Sequence, residues 1–99
     1  MAASIDDVQR LIFAVVHRDD ADGVTQALVE SGYRATRIDA QGGFLRRGNA
    51  VFMVGVAAEQ VDDVIQRVRG AAHRASGQSK GGSSYGIVFV VRVDAFARL

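Results

Sequence analysis

Three stretches of this 99-residue chain are apolar at both parities: residues 11–16, 50–57 and 87–91. A strand with one face in water alternates polar and apolar side chains, so a run that is apolar on both sides predicts a strand covered on both faces. The material for covering them is limited. Val24, Ala27, Leu28 and Ser31 fall at helical spacing. Val61, Val64, Ile65, Val68 and Ala72 sit at i, i+3, i+4, i+7 and i+11, the apolar stripe of an amphipathic helix over about 58–72. Two helices cover one face of a sheet. The other face then needs a partner, and a second copy of the same chain is the simplest cover.

The remaining segments fall into place between these runs. Residues 1–9 carry Asp6 and Asp7 with little apolar material and read as an N-terminal arm. Residues 11–16 form a first strand. Asp19 or Asp20 is placed to cap the helix that follows, which stops at Gly32. Residues 33–39 suit a second strand, its alternation placing Arg34, Thr36 and Ile38 on one face. A loop over 40–48 leads to the third strand at 50–57, and the second helix follows. A Gly/Ser-rich loop over 75–86 precedes a fourth strand that begins at Tyr85 or Ile87 and ends at Val93. The order strand, helix, strand, strand, helix, strand is the ferredoxin-like βαββαβ arrangement. The fold class is α+β: a four-stranded antiparallel sheet with two helices on one face, in a single domain over 1–99.

Composition narrows the function. The formal net charge of +1 argues against general attraction to nucleic acid or an acidic membrane. No apolar run approaches the ~20 residues that span a bilayer. The chain holds no cysteine, which fits a cytoplasmic protein and leaves no thiolate for a metal. His17 and His73 share no metal-ligand spacing and read as surface histidines. The acid pairs Asp6-Asp7, Asp19-Asp20 and Asp62-Asp63 sit where helices begin or face water. Neither a nucleophile elbow nor a Walker loop occurs. The expectation is a protein that is not an enzyme, with no metal and no resident cofactor.

One stretch concentrates ligand-binding chemistry. Between residues 34 and 47 stand four arginines and one acid, Asp39. Arginine forks match phosphate oxygens in pairs and stack on planar rings. Gln41-Gly42-Gly43 allows a tight turn, and Phe44-Leu45 supplies an apolar pair. Asn49, the chain's one asparagine, offers a donor and an acceptor together. This is a kit for a small molecule with phosphates and a base. It also suits a hairpin whose arginines are solvated and guard a strand edge.

A second candidate is the 77–84 loop, Gly-Gln-Ser-Lys-Gly-Gly-Ser-Ser. Its backbone amides could wrap phosphates with Lys80 as counter-charge. A flexible connector has the same composition.

The run Arg34-Ala35-Thr36, then Gly42-Gly43-Phe44-Leu45, then Gly48-Asn49, resembles the cyclic di-AMP receptor family of PII-like signalling proteins. The similarity continues through Phe52-Met53-Val54-Gly55-Val56 and Val93-Asp94-Ala95-Phe96. The resemblance implies a ferredoxin-like homotrimer that binds cyclic di-AMP between subunits. It implies ligand contacts from Arg34, Ala35, Thr36, Gly43, Phe44, Leu45, Asn49, Gly55 and Phe89. In it, Arg34 pairs with a phosphate or an adenine edge, and Thr36 and Asn49 hydrogen-bond the base. Phe44, Leu45 and Phe89 pack its faces, and Gly55 leaves room for the ring. The downstream partner is an unidentified protein. The chain departs from the family in a shorter segment between the second helix and the last strand, and in Val91-Arg92 where those receptors often have methionine and proline. Two alternatives stand beside this: a PII-like protein binding ATP or ADP through the 77–84 loop, and a trimer with no small-molecule ligand.

Overall fold

The computed structural model describes residues 7–38, 48–75 and 86–99. Strand β1, Arg10–His17, runs through the middle of a four-stranded sheet of order β2-β3-β1-β4. Helix α1 is Ala21–Glu30, β2 is Ala35–Ile38, β3 is Asn49–Val56, α2 is Val61–Ala75 and β4 is Gly86–Arg92. All three strand pairings are antiparallel. The expected ferredoxin-like order is therefore present, with an open sheet and two helices.

The pleat of β1 sorts its residues. Ile12, Ala14 and Val16 turn toward the helices and are buried beside Ala50, Phe52, Val54 and Val56 of β3. Val24 and Leu28 of α1 and Val64 and Val68 of α2 close this layer, each almost fully buried. Burial of side chains of this size stabilises a fold by about 1.5–3 kcal/mol each. Leu11, Phe13 and Val15 have the other parity and face away from the helices. Their partners there are Gly55, Met53 and Val51 on β3, and Val91, Phe89 and Ile87 on β4. On β4 this face is bare: Ile87 is 53% exposed, Phe89 56% and Val91 46%.

Several element boundaries differ from the sequence expectation. The second strand begins at Ala35 rather than at 33, because the end of α1 uses the intervening backbone. Gly32 takes φ of 85°, its N–H bonds Val29 O at 3.0 Å, and Tyr33 N–H bonds Leu28 O at 3.0 Å. This double bond satisfies the last carbonyls of α1 and consumes the residues just before the strand. The second helix opens with a 3₁₀ turn, Ala58–Gln60, in which Gln60 Oε1 accepts from Ala57 N–H at 2.9 Å. Its α-helical part then continues to Ala75, past the expected end at 72. The fourth strand ends at Arg92, one residue short of Val93.

The capping expectation at Asp19 and Asp20 is also corrected. Residues Arg18–Asp20 form a 3₁₀ turn, and the cap is His17, whose Nδ1 accepts from Asp19 N–H at 3.0 Å. Asp20 stands at the start of α1 without a side-chain cap bond and is buried. The expectations for the arm before Asp7, the 40–47 part of the loop with Gly43, Phe44 and Leu45, and the 77–84 loop with Lys80 lie outside the described residues.

Candidate functional site

Of the candidate residues that the structure describes, Thr36, Asn49, Gly55 and Phe89 share the parity of the sheet face turned away from the helices. The register sets Thr36 against Met53, Met53 against Phe13, and Phe13 against Phe89. These four form one row across all four strands. Gly55 and Leu11 are paired one step along on the same face, with Val91 beyond. Arg34 precedes β2 with the parity of Thr36, and both are exposed. Asn49 opens β3 with the parity of Met53 and Gly55 and is half-buried. The expected alternation holds for Thr36 and Ile38 within β2, and Arg34 falls just outside the strand. Ala35 has the opposite parity: it pairs with Val54 and packs against the core under the helices.

Thr36 and Phe89 occupy opposite edge strands of the sheet. Three inter-strand spacings separate them, about 14 Å at 4.7–4.9 Å each. Within one chain they bound a wide platform, not a closed pocket.

The notch at Gly55 is filled. A Cβ built there would lie 3.2 Å from one methyl of Val8 and 3.3 Å from the other. Val8 is held in place through its neighbour: Gln9 N–H bonds Val56 O at 2.8 Å, Val93 N–H bonds Gln9 O at 3.0 Å, and Gln9 Oε1 accepts from Ala58 N–H at 2.8 Å. The first residues before β1 therefore pack onto the candidate face. Periodicity holds no sign of this, because the contact joins residues far apart in the chain and Val8 lies in a stretch with little apolar material.

His17, expected at the surface, is exposed. His17 is paired with Asn49 across β1 and β3. The pattern that would have revealed it is the antiparallel register of the first and third strands, which sequence periodicity alone leaves undetermined.

The helix side has its own polar cluster. The Tyr33 hydroxyl donates to Asp63 Oδ2 at 2.6 Å, and Arg67 Nε donates to the same oxygen at 3.0 Å. Partial burial, then the Asp63 carboxylate, push the Tyr33 phenol up to about 12. The bonds from Tyr33 and Arg67 hold the Asp63 carboxyl below its usual range. On the far edge of α1, Arg37 donates to Asp22 Oδ1 at 2.9 Å. A groove of about 810 Å³ runs between α1 and α2, lined by Gly23, Ala27, Gly70 and Ala71 with Asp63 and Arg67. None of the described candidate ligand residues lines it. The described residues contain no cluster of histidine and acids that could hold a metal ion. Among them, no helix is long and apolar enough to cross a membrane.

Fold and family together define the class. The architecture matches the crystal structure of Arabidopsis thaliana PII bound to citrate with a TM-score of 0.68, at 22% identity over 97% of this chain and 85% of that one. A functionally unknown protein from Pediococcus pentosaceus matches with a TM-score of 0.70 and 30% identity, over 94% of this chain and 99% of that one. The chain has a PII-like fold. The model of the cyclic-di-AMP receptor family matches residues 9–79, and the chain belongs to that family.

Proposed function

We propose that this protein is a homotrimeric sensor that binds cyclic di-AMP at its subunit boundaries and signals to a partner protein. The proposed ligand contacts are Arg34, Ala35, Thr36, Gly43, Phe44, Leu45, Asn49, Gly55 and Phe89, with Gly55 reached only when Val8 moves off it. The observation that carries this is the placement of Thr36 and Phe89 on one face but on opposite edge strands. Residues about 14 Å apart on a flat sheet enclose a ligand when a neighbouring copy brings its own edge into reach. The bare Ile87, Phe89 and Val91 supply apolar surface for that contact. Ala35 turns its methyl to the core, so its share in binding is through the backbone of an edge strand. No catalytic step is assigned. The protein acts by binding, in the cytoplasm, where a nucleotide messenger and a chain without cysteine both fit.

Calorimetric titration of the purified protein with cyclic di-AMP, ATP and ADP tests this. Heat with cyclic di-AMP alone, at one site per chain, is the expected result. Binding of ATP or ADP in its place moves the site to the 77–84 loop. Silence with all three nucleotides leaves a trimer without a small-molecule ligand and ends the proposal.

A further inference from the structure

We propose that His17 is a further ligand-binding residue, donating from Nε2–H to an acceptor atom of the bound nucleotide beside Asn49. The inference rests on the cyclic di-AMP reading of the site. Three observations lead to it.

The first is position. His17 lies opposite Asn49 in the β1–β3 register. Arg18 N–H bonds Gly48 O at 2.6 Å, which makes the 18/48 pair a hydrogen-bonded one. The 17/49 pair is then of the other kind, in which Cα atoms approach to about 4.5 Å and side chains on one face lie closest. His17 shares its parity with Leu11, Phe13 and Val15, so its ring belongs to the face that carries Thr36, Gly55 and Phe89.

The second is the state of the ring. Nδ1 accepts from Asp19 N–H at 3.0 Å. A neutral imidazole with an accepting Nδ1 carries its proton on Nε2. A charged imidazole carries protons on both nitrogens, and Nδ1 then stands 3.5 Å from the Asp19 carboxylate. In either state Nε2 is a donor, and the structure fixes the other end of the ring.

The third is availability. The side chain of His17 is 48% exposed. Among the described residues its partner is Asp19, through Nδ1 in either protonation state of the ring. A donor held at one end and open at the other suits a phosphate oxygen or a purine ring nitrogen, and it complements an asparagine amide that both donates and accepts.

His17 also caps the 3₁₀ turn, so a loss on removing it needs to be separated from a folding effect. His17→Asn does this. Asparagine is a good cap acceptor and replaces Nδ1, but it ends short of Nε2. The expected result is an unchanged melting temperature without ligand and cyclic di-AMP binding weakened about tenfold, the size of one lost hydrogen bond to a charged group. His17→Gln extends an amide about as far as Nε2 and is expected to bind close to wild type. H17N binding as tightly as wild type overturns the proposal, as does H17Q binding no better than H17A. Wild-type protein that fails to bind cyclic di-AMP overturns this inference together with the reading it rests on, whereas unchanged H17N affinity overturns this inference alone.

Discussion

The Tyr33 hydroxyl donates to Asp63 Oδ2 across 2.6 Å and so ties the turn after α1 to the first turn of α2. Arg67, one helical turn further along α2, donates to the same oxygen at 3.0 Å. The two helices cover the core side of the sheet, and this bond spans the end of the groove between them.

The bond predicts a pH dependence with a definite sign. The Tyr33 phenol is raised from 10.0 to about 12 by partial burial and by Asp63. The folded protein holds this proton more tightly than the unfolded chain does. Its contribution to stability is complete below pH 10 and disappears as pH rises toward about 12. Asp63 is shifted the other way, so its contribution is present above the ordinary carboxylate range and fades as pH falls through the lowered folded value. Ultraviolet titration of the folded protein should show one of its two tyrosines ionising only near pH 12. In Asp63→Asn that late step should move down. A wild-type titration complete by pH 11 would contradict the bond.

Two glycines predict opposite effects of the same change. At Gly86, where β4 begins beside Val16, a Cβ would lie 2.5 Å from Val15 O, and that atom is backbone in the central strand. Gly86→Ala should therefore destabilise the fold by ~1–3 kcal/mol through overpacking. At Gly70, inside α2, a Cβ meets nothing within 4 Å and φ is not positive. Gly70→Ala should stabilise by ~0.5–1 kcal/mol, since alanine loses less backbone freedom in a helix. Denaturant unfolding of both variants at fixed protein concentration reads the signs directly. Two changes of the same sign would refute the packing at one of the two positions.

How much of this was visible in the chain itself depends on the range of the interaction. Leu11 to Val16 announced a strand, and its alternate residues Ile12, Ala14 and Val16 are buried under the helices while Leu11, Phe13 and Val15 are half-buried on the other face. Gly32 announced the end of α1, and its φ of 85° is the conformation that the stop needs. Arg34 and Thr36 were placed on one face by alternation alone. Three features escaped. The late start of β2 came from the bond of Tyr33 N–H to Leu28 O, which favours completing the helix cap over extending the strand. The capping of the 3₁₀ turn by His17 replaced an acid cap that composition favoured. The packing of Val8 at Gly55 required knowing which face of the sheet the segment before β1 crosses. Short-range rules fix what an element is. The pairing of β1 with both β3 and β4 fixes which side chains share a face, and it is a long-range fact.

The bare side of β4 predicts an assembly. Val91 is opposite Leu11 and lies on the face turned from the helices, so a carboxylate there would be buried against any covering copy. Light scattering with size exclusion should give three chain masses for wild type and one for Val91→Asp. Far-ultraviolet circular dichroism should be unchanged, since that side chain is outside the core under the helices. A wild-type protein of one chain mass at micromolar concentration would remove the proposed subunit boundary, and a Val91→Asp protein that stays at three would remove the sheet face from it.

The last prediction separates the two nucleotide sites. Arg34 is exposed just before β2 and Asn49 opens β3 with the parity of Met53, and each side chain offers hydrogen bonds that a nucleotide's phosphates or base can take. Losing one such bond to a charged ligand costs ~1.5–3 kcal/mol, about ten- to a hundredfold in affinity. Arg34→Ala and Asn49→Ala should each weaken cyclic di-AMP binding by that factor, while Lys80→Ala leaves it nearly unchanged. If ATP or ADP is the ligand, the order reverses: Lys80→Ala damages binding and Asn49→Ala is almost silent. Melting temperatures of the free variants control for folding, because Asn49 begins β3 beside His17 and its loss touches the strand end as well. Cyclic di-AMP affinities equal to wild type in both Arg34→Ala and Asn49→Ala would take the ligand off this face.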